Sequence, residues 1–375
     1  MDFAWNDTQR RRYERALSVA RAAFPPEEPP GFSRERWRRL AKLGLMGASV
    51  PRPYGEGLGA LDTARLFEAA GKGCGDTGLV FAAAAHLFAC AMPIAGFGAP
   101  ALRERLLGGL ATGELIAGNA MTEAEAGSDV GDLRTTARPV DGGYVLDGVK
   151  SFVSNGPVAD VYVTYAVTDP DAGHWGITAF AVDARTPGVT AGPAFDKAGL
   201  TGCRASTVTF DGCFVPAGAV LGEPGQGSAI FQHSMGWERA CLFALYLGVQ
   251  DRLVERCVAH ARERRQFGRP IGRFQSVSNR IADMKLRLEA SRLLLYRACW
   301  AMDAGEPAVL PAALSKLATS EAVLASAADA VRVFGGRGYL AGDGLAEAVD
   351  DALGGVIFSG TSDIQRRLVA MELGL

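Results

Sequence analysis

Apolar residues recur every three to four positions through the first 118 residues of the chain, which is the spacing of amphipathic helices. The stretches "RRYERALSVARAAF" and "RERWRRLAKLGL" both show this period. The stretch "ALDTARLFEAAGKG" adds a terminal glycine, a common residue at the end of a helix. Residues 1–118 are therefore predicted to form a helical N-terminal domain.

One apolar run, residues 77–102, contains no Asp, Glu, Lys or Arg and is long enough to span a bilayer. It is rich in alanine, holds His86 and is interrupted by Pro93. These features favour a buried core helix over a membrane span, so we expect no membrane partner.

The pattern changes to that of strands between residues 119 and 228. The stretch "VYVTYAV" alternates branched and small side chains, and "GITAFAV" is a second β-prone run. Asp147-Gly148 and Asp211-Gly212 each stand between β-prone runs, which predicts two hairpin turns. This part is predicted to be a small, mainly antiparallel β domain.

Long helical patterns return between residues 229 and 375. In "RIADMKLRLEASRLLLYRACW" four apolar residues share one face: Ile281, Met284, Leu288 and Leu295. A second long pattern follows in "AALSKLATSEAVLASAADAVRVF". The chain is thus predicted to be mainly α with a middle β domain, and its last part to be an antiparallel four-helix bundle.

Composition excludes several classes of function. Lys and Arg total 39 against 41 Asp and Glu, so the net charge of −2 gives no reason to expect nucleic acid as a partner. The seven cysteines include no C-x-x-C pair, and the four histidines are scattered, so neither a disulfide framework nor a metal site is expected. The first residues lack a secretory signal, and a cytoplasmic location is expected.

Two segments carry candidate binding chemistry. "NAMTEAEAGSD", residues 119–129, gathers hydroxyls and small residues that suit a flat heterocycle or a phosphate, although a capped turn would look the same. "ARERRQFGRPIGRFQ", residues 261–275, gathers arginines that suit a phosphate, although a solvated helix end would also explain them.

Taken in order with "YVLDGVKSFVSNG", "FGGRGYL" and "GTSDIQRR", these segments resemble the acyl-CoA dehydrogenase superfamily over nearly the whole chain. The resemblance implies FAD, that family's helical–β–helical fold, and a homodimer or homotetramer. It also implies two sets of cofactor-binding residues. One set lines the flavin ring: Met121, Thr122, Gly127, Ser128, Phe152 and Ser154. The other holds the FAD of a neighbouring subunit: Arg264, Gln275, Gly335, Gly336, Thr361 and Asp363.

The chain departs from the family pattern at three positions. Arg332 stands where many members have Gln, and Asp363 where many have Gln or Glu. Most members carry the catalytic Glu immediately before the Gly-Thr of the last motif, but this chain has Ser359 there. A serine without an activating partner is not a base, so the family's usual base is absent.

A minority of the family carries the base at the start of the first long C-terminal helix, in a Glu-Arg pair followed by an apolar run. "GWERACLFA" matches that pattern, which makes Glu238 the predicted general base and Arg239 a supporting residue. A carboxylate stabilised by a helix N-terminus would explain Glu238 without catalysis. Because the family's usual position for the base is occupied by Ser359, the catalytic interpretation of Glu238 is favoured.

Within the superfamily, "SMGWERACLFA", "RLLLYRACW" and "IFSGTSDIQ" resemble prolyl-carrier-protein dehydrogenases of pyrrole natural-product pathways. That resemblance implies oxidation of an L-prolyl thioester on the phosphopantetheine arm of a peptidyl carrier protein, giving a pyrrole-2-carbonyl thioester. Two alternatives stay open: an acyl-CoA or other acyl-carrier dehydrogenase with a relocated Glu, and a flavin-dependent monooxygenase on the same fold.

Overall fold

The computed structural model describes residues 4–25 and 28–375. Residues 1–3 and 26–27, which fall within the predicted N-terminal domain, lie outside the described part. The elements follow one another in three blocks, helical, then β, then helical, and this order confirms the predicted fold class. The predicted domain limits at 118/119 and 228/229 stay predictions.

Among the described residues the first block is a group of six helices, three of which begin at a residue whose side chain caps the helix. Ser33, for example, accepts a hydrogen bond from the backbone N–H of Arg36 and so starts the second helix. The helices are α1 (Asp7–Ala23), α2 (Arg34–Ala41), α3 (Ala60–Gly73), α4 (Thr77–Ala85), α5 (Met92–Phe97) and α6 (Pro100–Thr112).

A π-helical turn, His86–Ala91, joins α4 to α5 and makes them one continuous helical run. This run, Thr77–Phe97, is long and apolar enough to cross a membrane, and the apolar window within it is entirely buried. It is the one such run among residues 4–25 and 28–375. The prediction of a buried core helix is thus confirmed.

The middle block is a single eight-stranded sheet. Its strands are β1 (Ala117–Ala120), β2 (Thr136–Val140), β3 (Gly143–Ser154), β4 (Val161–Val167), β5 (Ile177–Asp183), β6 (Val189–Ala191), β7 (Ala205–Pro216) and β8 (Val220–Leu221). The order is β6-β7-β3-β1-β4-β5-β8, and most pairs are antiparallel, as predicted. The strands β1 and β2 both lie between β3 and β4 and pair with each of them. The residues that connect β1 to β2 form a loop outside the sheet.

The two predicted hairpins at Asp147-Gly148 and Asp211-Gly212 are wrong. Both dipeptides lie inside long continuous strands, β3 and β7, which pair with each other through a register shift at Leu146/Gly148. The backbone N–H of Gly212 donates to Asp147 Oδ1 at 2.7 Å. The shift is one β-bulge, in which Asp211 and Gly212 of β7 stand opposite Asp147 of β3, and positive φ at Gly148 and Gly212 supplies the backbone freedom that a turn would also use.

The last block contains the predicted bundle, α8 (Ala244–Glu263), α9 (Gln275–Asp303), α10 (Val309–Phe334) and α12 (Ser362–Glu372), with α7 (Gly227–Trp237) before it and α11 (Leu345–Leu353) within it. A two-stranded ribbon, β9 (Arg265–Gln266) and β10 (Arg269–Pro270), joins α8 to α9. Met284, Leu288 and Leu295 face the core, and Ile281 is half-buried beside them. The predicted helical face is thus confirmed.

Two glycines hold α8 against α3. A Cβ at Gly71 would overlap the carbonyl of Leu245, and a Cβ at Gly248 would overlap the carbonyl of Glu68. The two helices therefore cross with their backbones in contact, which a larger residue at either position would prevent. This contact fixes the start of α8, and the turn that precedes it, relative to the N-terminal helices.

Candidate active site

Glu238 lies in a second π-helical turn, Glu238–Leu242, which connects α7 to α8. Single π-turns within helices are frequent at functional sites because the extra residue redirects side chains. Glu238 follows the last residue of α7 with helical φ and ψ of −61° and −51°. The helical run is continuous through Glu238, so the explanation by a helix N-terminus is wrong: the carboxylate stands inside this run and not in its first turn.

The Glu238 carboxyl group is buried, with the whole residue 6% exposed. Its Oε2 atom accepts a hydrogen bond from Ser359 Oγ at 2.6 Å. Its Oε1 atom is buried and has no hydrogen-bond partner among the described residues. Burial raises the pKa of Glu238 to about 7, against the opposing effects of the Ser359 hydrogen bond and of Arg239. One oxygen is thus held, and the other is available to a ligand.

Two other ionisable groups, Cys90 and Tyr165, lie near Glu238. Cys90 belongs to the first π-turn, and Tyr165 belongs to strand β4. Burial raises the pKa of the Cys90 thiol and of the Tyr165 phenol, and the negative charge of Glu238 adds to the shift in both cases. Both groups are therefore neutral neighbours of the carboxylate.

His86, at the start of the first π-turn, is not part of the chemistry. Its Nδ1 accepts a hydrogen bond from Ala117 N at 3.0 Å, and its Nε2 lies 2.9 Å from the carbonyl oxygen of Leu110. Burial lowers the pKa of His86 to about 4. His86 is therefore a neutral core residue that fixes the π-turn.

Ser359 lies on a tightly held bend between α11 and α12. Its φ of +54° is a left-handed value that residues other than glycine rarely adopt. The carbonyl of Ser359 accepts hydrogen bonds at 3.3 Å from Arg239 Nε and from Gln365 Nε2. The preceding Phe358 packs against Phe81, with ring centroids 4.5 Å apart. The surrounding contacts thus impose this conformation on the serine.

Arg239 contacts the Ser359 bend rather than the Glu238 carboxylate. In the described part of the chain, no guanidinium nitrogen of Arg239 lies within 4 Å of a Glu238 carboxylate oxygen. Burial lowers the pKa of Arg239, and the charge of Glu238 opposes that shift. The guanidinium therefore acts on the carboxylate through space and through the bend that carries the Ser359 hydroxyl.

The predicted flavin-lining residues lie on the loop between β1 and β2 and at the end of β3. The backbone N–H of Ser151 donates to the carbonyl of Thr122 at 2.8 Å, which joins the loop to the strand. Met121 is buried, and Phe152, at a left-handed φ of 56°, is 66% exposed. Ser154 is half-buried at the end of β3. The structure brings four predicted residues together where the chain leaves β1 beside the last residues of β3: Met121, Thr122, Phe152 and Ser154. Two others stand exposed on the loop: Gly127 and Ser128.

A buried ion pair, which the sequence did not reveal as a pair, holds this loop. Lys150 Nζ donates to Glu123 Oε1 at 2.8 Å and to the carbonyl of Met121 at 3.1 Å. The Glu123 carboxylate also accepts from the backbone N–H groups of Arg134 and Thr135. A lone lysine inside the apolar run "GVKSFV" was the available signal, because a buried lysine needs a partner.

The other predicted cofactor residues fall into two places. Arg264, Gln275, Gly335 and Gly336 are exposed at the far end of the bundle, where α8 ends, α9 begins and α10 ends. The 20 residues of α8 separate that end from the Glu238 turn, which is about 30 Å at 1.5 Å per residue. One chain therefore does not bring these four residues to Glu238.

Thr361 and Asp363 lie close to the Ser359 bend in sequence and at the start of α12. Thr361 caps α12, with its Oγ1 accepting from Ile364 N at 3.2 Å. The Asp363 side chain is exposed and forms an ion pair with Arg366 at 3.0 Å. Both residues thus have an ordinary role at a helix start, and their cofactor role stays a prediction.

The departure at Arg332 also has a structural setting. Its guanidinium forms an ion pair with Asp329 at 3.1 Å, and the same carboxylate accepts from Arg280 and Arg287. No group of three or more His, Cys, Asp or Glu side chains could hold a metal ion within the described ranges.

Comparison with known protein families matches the chain in three consecutive segments. The acyl-CoA dehydrogenase N-terminal domain matches residues 5–114, the middle domain residues 118–213, and the C-terminal domain residues 225–374. Together these matches cover nearly the whole chain.

Individual relatives are similar over their full length. An L-prolyl-[peptidyl-carrier protein] dehydrogenase of Pseudomonas fluorescens is 52% identical, and the match covers 100% of both chains. A protein of the same description from a Serratia species is 44% identical, and the match covers 100% of this chain and 99% of the relative. The solved FAD complex of PigA superposes with a TM-score of 0.96 at 44% identity over 100% of both chains.

Proposed function

The chain belongs to the acyl-CoA dehydrogenase family, and we propose that it is an FAD-dependent dehydrogenase of a carrier-bound aminoacyl thioester. The proposed substrate is an L-prolyl group on a peptidyl carrier protein, and the proposed product is the pyrrole-2-carbonyl thioester. The observation that carries the proposal is the buried Glu238 carboxylate with one unpartnered oxygen. The similarity to two proteins described as L-prolyl-[peptidyl-carrier protein] dehydrogenases supports the choice of substrate.

Glu238 is the proposed general base for the α-proton of the thioester. A base works best when its pKa lies near the working pH, and burial raises the pKa of Glu238 to about 7. The carboxylate is therefore ionised in a useful fraction of molecules near neutrality, while its desolvation makes it more basic than an exposed glutamate. Oε1 is the oxygen that can accept the proton, because Oε2 is held by Ser359.

Bound FAD would supply the hydride acceptor. Two features of this chain fit a flat heterocycle. Phe152 presents an exposed aromatic ring in a constrained left-handed conformation, and the loop that holds Met121 and Thr122 is tied to β3 beside it. Gly127 and Ser128 offer a backbone N–H and a hydroxyl on the same loop to polar groups of the cofactor.

The second set of cofactor residues supports a homo-oligomer, either a dimer or a tetramer. Arg264, Gln275, Gly335 and Gly336 are too far from Glu238 to serve the same cofactor in one chain, and a second copy could supply them. An apolar stripe on α9, defined as Leu286, Leu293 and Trp300, is 67%, 50% and 40% exposed and repeats every seven residues. Such a stripe is typical of a helix that packs against another subunit.

The two alternatives from the sequence receive less support. A flavin-dependent monooxygenase does not need a general base, whereas Glu238 is desolvated and hydrogen-bonded as a base requires. An acyl-CoA dehydrogenase would use the same carboxylate, and only the substrate distinguishes it. We propose a cytoplasmic enzyme, in keeping with its expected carrier-protein partner.

The test is intact-protein mass spectrometry of a prolyl-loaded carrier protein after incubation with the FAD-loaded enzyme. Two two-electron oxidations should remove four hydrogen atoms from the prolyl group, and the Glu238→Gln enzyme should remove none. A panel of acyl-CoA thioesters, followed by bleaching of the flavin absorbance, serves as the comparison. Loss of flavin colour with acyl-CoA but no mass change on the carrier would replace the proposed substrate with a coenzyme A thioester.

A further inference from the structure

Ser359 occupies the place where most of the family carries its base, yet its side chain is engaged with the base of this chain. Ser359 Oγ donates to Glu238 Oε2 at 2.6 Å, although the two residues are 121 positions apart. A distance between 2.5 and 2.7 Å is typical of a strong hydrogen bond from a hydroxyl to an ionised carboxylate. The hydroxyl is therefore a candidate for a role in the reaction.

We propose that Ser359 is a positioning residue that orients Glu238 and favours its ionised form. The proposal rests on the proposed function, because it assigns a role through the Glu238 base. The hydrogen bond fixes Oε2 and leaves Oε1, which is buried and unpartnered among the described residues, free to meet the α-proton. Ser359 itself does not need to touch the substrate.

The backbone at Ser359 supports this role. Its φ of +54° would suit a glycine, so the contacts around the bend hold the serine in this conformation at a conformational cost. The bend is held from two sides, by Arg239 and Gln365 at the Ser359 carbonyl and by the aromatic contacts of Phe358. These contacts hold the Ser359 hydroxyl in the orientation in which it donates to Glu238.

A lysine on α10 also titrates close to neutrality near the Glu238 turn: burial and the charge of Arg239 lower the pKa of Lys316 to about 8, and its Nζ lies 5.3 Å from the centroid of the Phe243 ring. Lys316 is not among the groups that shift the pKa of Glu238. Cys90 from the first π-turn and Tyr165 from β4 face Glu238, and burial raises the pKa of both, so both stay neutral near pH 7. Arg239 stays charged and favours the carboxylate. A titration followed through the carboxyl group itself therefore reports on Glu238 and not on Lys316, and the effect of the hydroxyl can be read from it.

Removal of the hydroxyl should move that titration upward, because the Ser359 hydrogen bond lowers the pKa of Glu238. Ser359→Gly deletes the donor and also relieves the left-handed backbone, so it should fold at least as well as the parent chain. Ser359→Asn tolerates a left-handed φ and restores a donor through its amide. The pair separates the hydrogen bond from the backbone.

The experiment follows the carbonyl stretch of protonated Glu238 by infrared difference spectroscopy across pH in the FAD-loaded enzyme, with Glu238→Gln as the blank. Ser359→Gly should raise the midpoint by about one pH unit, and Ser359→Asn should lie closer to the parent enzyme than to the glycine variant. The acid limb of the pH profile of kcat/KM should move by the same amount.

An unchanged midpoint in Ser359→Gly would overturn the proposal, and so would an asparagine variant that shifts as far as the glycine variant. The infrared titration needs no substrate. A failure of the enzyme to oxidise prolyl thioesters would therefore count against the proposed function alone, whereas an unmoved midpoint would count against the role of Ser359.

Discussion

Replacing Glu238 by glutamine should stabilise the protein at alkaline pH and leave it little changed at acidic pH. The carboxyl group is buried, and burial raises its pKa from an ordinary value near 4.5 to about 7. The neutral form therefore suits the folded state, and the ionised form does not. Stability that depends on the neutral carboxyl is fully present below pH 4.5 and is lost as the pH rises through 7.

The magnitude follows from the shift itself. A rise of one pKa unit corresponds to about 1.4 kcal/mol between the two protonation states, so the rise at Glu238 corresponds to about 3 kcal/mol. Glutamine has nearly the shape of glutamic acid and cannot ionise. The free energy of unfolding of Glu238→Gln should therefore gain about 3 kcal/mol on the parent protein between acidic and alkaline pH.

The assay is urea unfolding of both proteins at matched protein concentration and FAD saturation, repeated from about pH 4.5 to about pH 8.5. The difference between the two proteins removes the contribution of every other titrating group. Glu104→Gln on the exposed face of α6 is the matched control, because it makes the same substitution at a side chain that faces solvent. A flat difference for Glu238→Gln would show that the carboxylate is solvated and would remove the physical basis for its role as a base.

Three other changes test neighbouring parts of the structure. The thioester oxidation rate of Glu238→Ala should fall roughly 10²–10⁴-fold. The double variant Glu238→Ala/Ser359→Glu should regain at least about ten-fold in that rate, because the side chains at positions 238 and 359 meet within one hydrogen bond. An unchanged rate in the double variant would mean that position 359 does not reach the reacting atom. Lys150→Met should cost about 3–5 kcal/mol in urea unfolding by leaving Glu123 buried and unpaired, and Lys150→Met/Glu123→Gln should cost less. Leu293→Lys should lower the mass found by analytical ultracentrifugation with an unchanged circular dichroism spectrum; an unchanged mass would remove the α9 stripe from the interface.

The order of helices and strands could be predicted because each block shows its own period over many residues. The buried run Thr77–Phe97 was also predictable, since an apolar helix rich in alanine and interrupted by proline packs inside a protein more readily than in a bilayer. Its π-turn could not be predicted. A π-turn depends on what packs around the helix, and no local pattern of residues marks it.

The two Asp-Gly pairs show where local signals stop. A type I′ hairpin turn and a bulge with glycine at its left-handed position both use a residue with positive φ, so the dipeptide alone does not distinguish them. The outcome was decided by the pairing of β3 with β7, in which Gly212 N meets Asp147 Oδ1. That contact joins positions 65 residues apart, and the sequence near either dipeptide does not predict it.

The prediction of Glu238 as the base came from a resemblance and from the fact that position 359 is a serine and not a glutamate. The sequence did not show that this serine donates a hydrogen bond to Glu238. A carboxylate buried without help would be protonated at neutral pH and could not act as a base. At Glu238 burial raises the pKa, while the Ser359 hydroxyl and Arg239 lower it, and the balance falls at about 7. The usefulness of Glu238 therefore depends on a hydroxyl that its own sequence neighbourhood does not contain. On this reasoning position 359 has not lost a catalytic group: it has exchanged a carboxylate for the hydrogen-bond donor that a carboxylate at position 238 needs.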